Sequence, residues 1–246
     1  MIGWVGLLLA LGCIALAQRW HGGSLLTLLD GPAFLIVVGG TLGAVILQTP
    51  TRYLKQALIQ LGWLFRPERL DMASQALRLE AWALRGRQYG LLALEELSDQ
   101  ESEPFTRKGL TMLVDGVEVE HMRELLEAEI TIEQERNEHG ARVFESLGGY
   151  SPTIGIIGAV MGLIQAMFSL EAPAELGAGI AVAFVATIYG VGLANLFYLP
   201  VANRLRTLHY HQALFQEMTL EGLLGIAHGD NATQLRRRLQ IYLQGE

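Results

Sequence analysis

The polar side chains inside the apolar segments of this chain are the first place to look for chemistry. Between residues 151 and 200 they are Thr153, Gln165, Thr187, Tyr189 and Asn195. Each can form hydrogen bonds, but none titrates near neutral pH. Polar groups at membrane depth mark ion or substrate pathways. Because none of these groups titrates, either this chain moves nothing across the membrane or a second polypeptide supplies the titratable group. For Thr187 an alternative stays open, a hydroxyl bonded to a carbonyl of its own helix.

No arrangement typical of an enzyme is found in the sequence. It has no glycine-rich phosphate loop, no metal-ligand spacing and no Ser/His/Asp set. The histidines are scattered, and we interpret five of them as surface residues: His121, His139, His209, His211 and His228. The net charge of -7 argues against a nucleic-acid partner, which would require a basic patch. We therefore expect no enzymatic activity, no cofactor and no metal site.

The composition indicates a membrane protein. Of the 246 residues, 51% are hydrophobic and 17% are charged, which is too apolar for an ordinary soluble domain. A helix needs about 20 apolar residues to cross a bilayer. Segments 2–17 and 33–47 and the two halves of 151–200 are candidates. The sequence therefore predicts four membrane-spanning helices.

The distribution of basic residues predicts how these spans are oriented. The loop between the first two spans has one arginine, and the loop between the last two has only Glu171 and Glu175. The other two flanks are basic, with Arg52, Lys55, Arg66 and Arg69 after the second span and Arg204 and Arg206 after the fourth. By the positive-inside rule these two flanks are cytoplasmic.

The resulting organisation is an all-α membrane protein with both termini in the cytoplasm. Residues 1–50 contain membrane helices 1 and 2, and residues 51–150 form a helical cytoplasmic domain. Residues 151–200 contain membrane helices 3 and 4, and residues 201–246 form a helical cytoplasmic tail. Near its end, Arg236, Arg237 and Arg238 either contact anionic lipid or end a helix.

Two strips of small residues follow helical spacing in the last two spans. The first contains Gly155, Ala159, Gly162 and Ala166, and the second contains Ala183, Thr187, Gly190 and Ala194. Small residues on one face allow helix backbones to approach closely in lipid. A helix of another chain could therefore pack on these strips.

Two prolines lie at the cytoplasmic boundary of this pair of spans. Pro152 is at the start of the third span and Pro200 is at the end of the fourth. Proline bends or ends a helix because it lacks a backbone N–H. From the residues alone, helix termination is the favoured interpretation.

The segment SPTIGIIGAVMGLI, followed by PAELGAGIAVAFVATIYGVGLANLFYLP, resembles the A subunit of the bacterial flagellar stator, the MotA/PomA family. A second match is Arg87-Gln-Tyr-Gly-Leu-Leu-Ala-Leu-Glu95, which is similar to the family's R-Q-x-G-x-x-x-L-E segment. The resemblance covers essentially the whole chain. The compact length of the chain and its PAELGAGIAVA segment are most similar to the short PomA-like and MotC-like branch of the family.

This resemblance implies an inner-membrane ion channel that converts ion flow into torque for motility. In the family, five A subunits form a ring around two copies of a B subunit (MotB, PomB or MotD). The B subunit carries the ion-binding aspartate on its single membrane helix. The partner would thus supply the titratable group that this chain lacks.

Site residues follow from the resemblance by position. Arg87 and Glu95 would face the rotor protein FliG, and Pro152 and Pro200 would couple protonation to movement of the cytoplasmic domain. Thr187 would line the ion path beside the B-subunit aspartate. The small residues expected to pack on the B-subunit helix are Gly155, Gly162, Ala166, Ala183, Gly190 and Ala194.

Ala159 is the residue that indicates which ion is coupled. Sodium-driven members of the family carry a threonine seven residues after the first proline, where this chain has Ala159. A methyl group cannot ligate Na⁺, a hard ion that prefers oxygen ligands. We therefore expect the transported ion to be H⁺ and not Na⁺.

Two other interpretations remain. An ExbB/TolQ-type energiser of outer-membrane processes belongs to the same superfamily, but such proteins have three spans with the large cytoplasmic loop after the first. Two closely spaced spans before the loop argue against it here. A membrane scaffold without transport would leave Thr187 and Arg87 without a role.

Overall fold

The computed structural model describes residues 2–20, 22–64, 70–168 and 173–243, and these contain helices and no strand. Of the residues named above, Arg66, Arg69 and Glu171 lie outside the described parts. The helices are α1 (Ile2–Trp20), α2 (Gly31–Gln48), α3 (Thr51–Trp63), α4 (Met72–Tyr89), α5 (Glu95–Gln100), α6 (Pro104–Val114), α7 (Val119–Phe168), α8 (Pro173–Leu193), α9 (Leu199–Ala227) and α10 (Ala232–Leu243).

The apolar helices agree with a membrane protein. Three helices in the described residues are long and apolar enough to cross a bilayer: Gly31–Gln48, Val119–Phe168 and Leu176–Ala227. The first helix is also apolar, although its apolar part, Val5–Trp20, is shorter. The all-α membrane fold predicted from composition is confirmed.

Neither proline ends a helix, which corrects the interpretation favoured above. Pro152 lies inside α7, which continues for 16 residues beyond it. Pro200 follows a π-helical turn, Ala194–Tyr198, that joins α8 to α9 without a break. In this turn the Leu199 N–H bonds to the Ala194 carbonyl five residues back. Proline has no N–H, so it leaves a carbonyl of the preceding helical turn without its usual donor. The wider π-helical turn changes which N–H bonds to which carbonyl and so accommodates the proline.

The chain divides into two compact units. The first comprises Met1–Arg66 and His139–Arg206, and the second comprises Pro67–Glu138 and Thr207–Glu246. These units are defined by which residues contact each other, whereas the four predicted segments are defined by where the chain enters and leaves the membrane. The segment limits 1–50, 51–150, 151–200 and 201–246 therefore stay predictions.

The second unit has a continuous apolar core from α4, α6, α7, α9 and α10. Its fully buried side chains include Leu79, Leu110, Leu126, Leu223 and Leu235. Two of the three consecutive arginines of α10 form ion pairs in this unit. Arg236 pairs with Glu80, and Arg238 lies 3.5 Å from Asp230 and 3.9 Å from Glu221. These pairs anchor α10 to its own unit, which reduces the charge that is free for lipid.

One of the five predicted surface histidines is buried. His209 on α9 is only 8% exposed, whereas its neighbour His211 is exposed. Desolvation lowers the pKa of His209 to about 4, against the opposing effect of Glu138. The prediction for His209 was wrong because α9 turns this position toward the interior. The sequence around a single histidine does not indicate which way its helix face points.

Candidate functional site

The two helices α7 and α8 pack against each other more closely than ordinary side chains allow. A Cβ built on Gly162 would lie 2.8 Å from the Ala183 nitrogen and 2.9 Å from the Gly179 oxygen. A Cβ on Gly155 would lie 3.0 Å from the Cα of Gly190. Contacts of residue 155 with 190 and of residue 162 with 183 show that the helices run antiparallel. Glycine is therefore needed where the backbones meet.

Most of the small residues contact the neighbouring helix of the same chain, whereas the expected contact is with a helix of another chain. Gly155 meets Gly190, Gly162 meets Ala183 and Ala166 meets Gly179, and all of these residues are buried within the chain. Ala194 is fully buried as well. The family resemblance implies a helix of the B subunit on these six residues. The structure instead uses five of them for close packing of α7 on α8.

One side of the α7–α8 pair is covered by α2. Ile36 lies 3.4 Å from the Cβ position of Gly158, and Ile154 lies 2.8 Å from that of Gly40. Ala33 and Val37, both fully buried, form an apolar cluster with Val185 and Ala186 of α8. Helix α2 therefore contacts both members of the pair from the same side.

Ala159 and Thr187 lie on the opposite, open side. Each comes one position after a residue of the α7–α8 contact, Gly158 and Ala186 respectively. One position turns a side chain by about 100° around the helix. Because the helices are antiparallel, this turn brings both residues to the same side of the pair, away from α2. Ala159 is half-buried and Thr187 is exposed.

The hydroxyl of Thr187 donates a hydrogen bond to the Ala183 carbonyl at 3.1 Å. This is the bond to a carbonyl of its own helix that is one of the two alternatives for Thr187. It uses the hydroxyl hydrogen and leaves oxygen lone pairs able to accept. Thr187 can therefore accept a hydrogen bond from water or from a protonated group on the open side. Asn195 is bonded in the same way, to the Val191 carbonyl at 2.9 Å.

The open side lacks a carboxylate or imidazole of its own in the described residues. The nearby carboxylate Asp30 lies with α2, where its oxygen accepts a hydrogen bond from Ala33 N–H at 2.7 Å. No group of three His, Cys, Asp or Glu side chains that could hold a metal occurs in the described part of the chain. None of the described residues therefore supplies a titratable group facing Thr187.

Comparison with known proteins identifies the family. The model of the MotA/TolQ/ExbB proton channel family matches residues 97–218, and the Motility protein A N-terminal model matches residues 4–81. Motility protein A of Helicobacter pylori is 34% identical over 240 residues, which are 97% of this chain and 93% of that protein. The chain belongs to the MotA/TolQ/ExbB proton channel family.

Solved structures of MotA/TolQ/ExbB family members have the same fold. The C. jejuni MotAB structure matches with a TM-score of 0.93 at 29% identity and covers 98% of this chain and 94% of that chain. The flagellar MotAB stator complex from Bacillus subtilis matches with a TM-score of 0.90 at 30% identity, covering 98% and 96%. These matches and the Motility protein A N-terminal model favour the stator branch of the MotA/TolQ/ExbB family over the ExbB/TolQ alternative.

The predicted rotor residues of this MotA/TolQ/ExbB family member lie on either side of one connection. Arg87 is in the last turn of α4 and Glu95 is the first residue of α5. Gly90 ends α4 with φ +83°, a value that L side chains rarely adopt. Both charged side chains are exposed, and neither forms an ion pair within the described residues. The adjacent Arg85, in contrast, lies 3.6 Å from Glu96.

Tyr189 is among the polar side chains named from the sequence of this family member, but the sequence indicates neither its partner nor a separate role for it. Its hydroxyl donates to the Leu28 carbonyl at 2.5 Å and accepts from Asp30 N–H at 3.1 Å. Leu28 and Asp30 are 161 and 159 residues away in sequence. No local spacing could have indicated this contact.

Proposed function

We propose that this chain is the A subunit of a flagellar motor stator in the inner membrane of a bacterial cell. With a B subunit it forms a proton channel that converts ion-motive force into torque on the rotor. The observation that carries the proposal is the open side of α7–α8. It presents Ala159 and the acceptor oxygen of Thr187, and no titratable side chain of the described residues is found there.

The missing titratable group would be the aspartate on the membrane helix of a MotB-, PomB- or MotD-like B subunit. Because α2 covers the other side of the pair, the partner helix would pack on the side of Ala159 and Thr187. In a homopentamer around two B subunits, each chain would turn this side toward the centre. Membrane lipid would then contact the outward-facing helices.

The coupled ion is proposed to be H⁺. The side chain at position 159 is a methyl group, which offers no oxygen to Na⁺, and its polar neighbour on the open side, Thr187, offers a single hydroxyl. Na⁺ prefers several oxygen ligands. A proton needs a carboxylate and a path of water molecules, so it places no such demand on this surface.

Pro152 and Pro200 are proposed to couple protonation to movement. Both lie in helices that continue on either side of the proline. Leu199 is the one residue between Pro200 and the π-helical turn that precedes it. Proline and π turns are the usual places where a helix bends. A bend there would be transmitted along a continuous helix, whereas a helix that ended at the proline could not transmit it.

The test of the function and of the ion is motility of a bacterial strain without its own stators. The chain and its B subunit are expressed together, and swimming is measured at several external sodium concentrations and with a protonophore. We expect swimming to be independent of sodium and abolished by the protonophore. Swimming that increases with sodium and resists the protonophore would contradict proton coupling, and absence of torque despite assembly would contradict the stator function.

Arg87 and Glu95 are proposed to face the rotor protein FliG. We expect Arg87→Glu and Glu95→Lys each to reduce torque at least twofold, because each reverses an exposed charge whose partner lies on another protein. Torque is measured on tethered cells, and assembly is measured from the amount of complex in the membrane. The control is Arg237→Glu, an exposed arginine on α10 without an ion pair in the described residues. Normal torque in both variants would contradict the assignment.

A further inference from the structure

The Tyr189 hydroxyl connects α8 to the segment between α1 and α2. It donates to the Leu28 carbonyl at 2.5 Å and accepts from the Asp30 N–H at 3.1 Å, so its one hydrogen and one of its lone pairs are both used. Phe34 packs edge-on to the ring, with ring centroids 6.1 Å apart and planes at 88°. The side chain is therefore held at both its ring and its hydroxyl.

The bonded segment is itself locally fixed. Asp30 caps α2 by accepting from Ala33 N–H at 2.7 Å, and Ser24 caps the short 3-10 helix Leu25–Leu28 by accepting from Leu26 N–H at 3.2 Å. Ala33 and Val37 then pack on Val185 and Ala186 of α8. The Tyr189 hydroxyl thus bonds to a backbone that its own caps hold in place.

Tyr189 and Thr187 point to opposite sides of α8. Two positions along a helix turn a side chain by about 200°. Tyr189 lies on the side of α2, where its contacts are, and Thr187 lies on the open side. A rotation of α8 about its axis that moved Thr187 off the open side would break both hydrogen bonds of Tyr189.

We propose that Tyr189 is a positioning residue for the ion path. Its hydroxyl fixes both the rotation of α8 about its axis and its position along that axis, relative to residues 28–30. It thereby keeps Thr187 directed at the open side. This inference rests on the proposed function, since it assigns Tyr189 a role through Thr187. Tyr189 itself does not contact the ion.

The test removes only the hydroxyl, with Tyr189→Phe, in the full complex with its B subunit. The matched control is Tyr198→Phe, which removes a hydroxyl that forms no hydrogen bond within the described residues. Both variants keep their rings and their packing. We expect Tyr189→Phe to lower proton flux per assembled complex about fivefold, the effect of losing a net hydrogen bond. We expect Tyr198→Phe to leave it unchanged.

A second measurement reports the position of Thr187 without using flux. Cys13 is the only cysteine of the chain, so Cys13→Ser gives a cysteine-free background. In that background, Thr187→Cys is treated with a small water-soluble thiol reagent, with and without Tyr189→Phe. We expect the rate of modification to change about fivefold when the hydroxyl is removed. A purely structural role would change the amount of complex and leave this rate unaltered.

The outcomes separate the two proposals. Equal flux and equal modification rates with and without the hydroxyl would overturn the positioning role while leaving the stator function intact. A Thr187→Cys variant that does not react in the parent would remove Thr187 from an aqueous path, and the positioning role would fall with it. A flux effect shared by Tyr198→Phe would also overturn the proposal, since a bonded hydroxyl would then not be required.

Discussion

Thr187→Val is expected to lower proton flux by roughly ten- to a hundredfold in complexes of normal abundance. The substitution keeps the shape of the side chain and removes the Thr187 hydroxyl from the open side of α7–α8. A hydrogen bond to a charged group contributes about 1.5–3 kcal/mol, and about 1.4 kcal/mol corresponds to a factor of ten in rate. Flux is measured in vesicles containing the complex with its B subunit.

Thr153→Val is the matched control for this variant. Thr153 is also back-bonded, to the Tyr150 carbonyl at 2.8 Å, and it is exposed. It lies on α7 two positions from Gly155 and therefore faces away from the contact with α8. Flux in this control should match that of the parent protein. If Thr187→Val conducts as well as Thr153→Val, Thr187 is a packing residue only.

Gly162→Val is expected to prevent stable packing of α7 on α8. The added Cβ would lie 2.8 Å from the Ala183 nitrogen, 2.9 Å from the Gly179 oxygen and 3.1 Å from the Ala183 Cα. All three atoms belong to backbone, which cannot move aside as a flexible side chain can. Overpacking of this kind costs about 1–3 kcal/mol or more. We expect little folded protein in the membrane and a lowered unfolding temperature for what remains.

Gly149→Val provides the comparison on the same helix. A Cβ at Gly149 would meet no atom within 4 Å, so this change adds the same side chain without a clash. Both variants share the reduced flexibility and the altered helix propensity that valine brings. A Gly162→Val protein as abundant and as heat-resistant as Gly149→Val would show that the close approach of the two helices is not required.

The spacing of small residues predicted which helix faces matter but not what packs on them. Gly155 and Gly162 lie on one face in any helix, because a period of 3.6 residues fixes that relation. Whether this face meets α8 or another chain depends on tertiary contacts, which the period does not contain. The same limit explains Thr187, whose hydrogen bond to Ala183 was foreseen only as one of two alternatives.

Other features required contacts that are distant in sequence. The bond of Tyr189 to Leu28 joins residues 161 positions apart, and the burial of His209 depends on how its helix packs in the second unit. Proline rules predicted helix ends at Pro152 and Pro200, since they describe proline in a regular α-helix. They do not anticipate the π-helical turn that precedes Pro200. The exposure of Arg87 and Glu95, in contrast, agrees with their placement at helix ends.

Because of the π-helical turn Ala194–Tyr198, the effect of deleting one residue depends on where in the helix the deletion lies. A π turn contains one residue more than the α turn it replaces. Deleting one residue within it would restore a regular α-helix and leave the flanking residues, Thr187 before it and Ala202 after it, facing as they do now. Deleting one residue elsewhere in α8 would turn every later side chain by about 100°. Within α8 and α9, loss of a single residue is thus tolerated best at the turn beside Pro200.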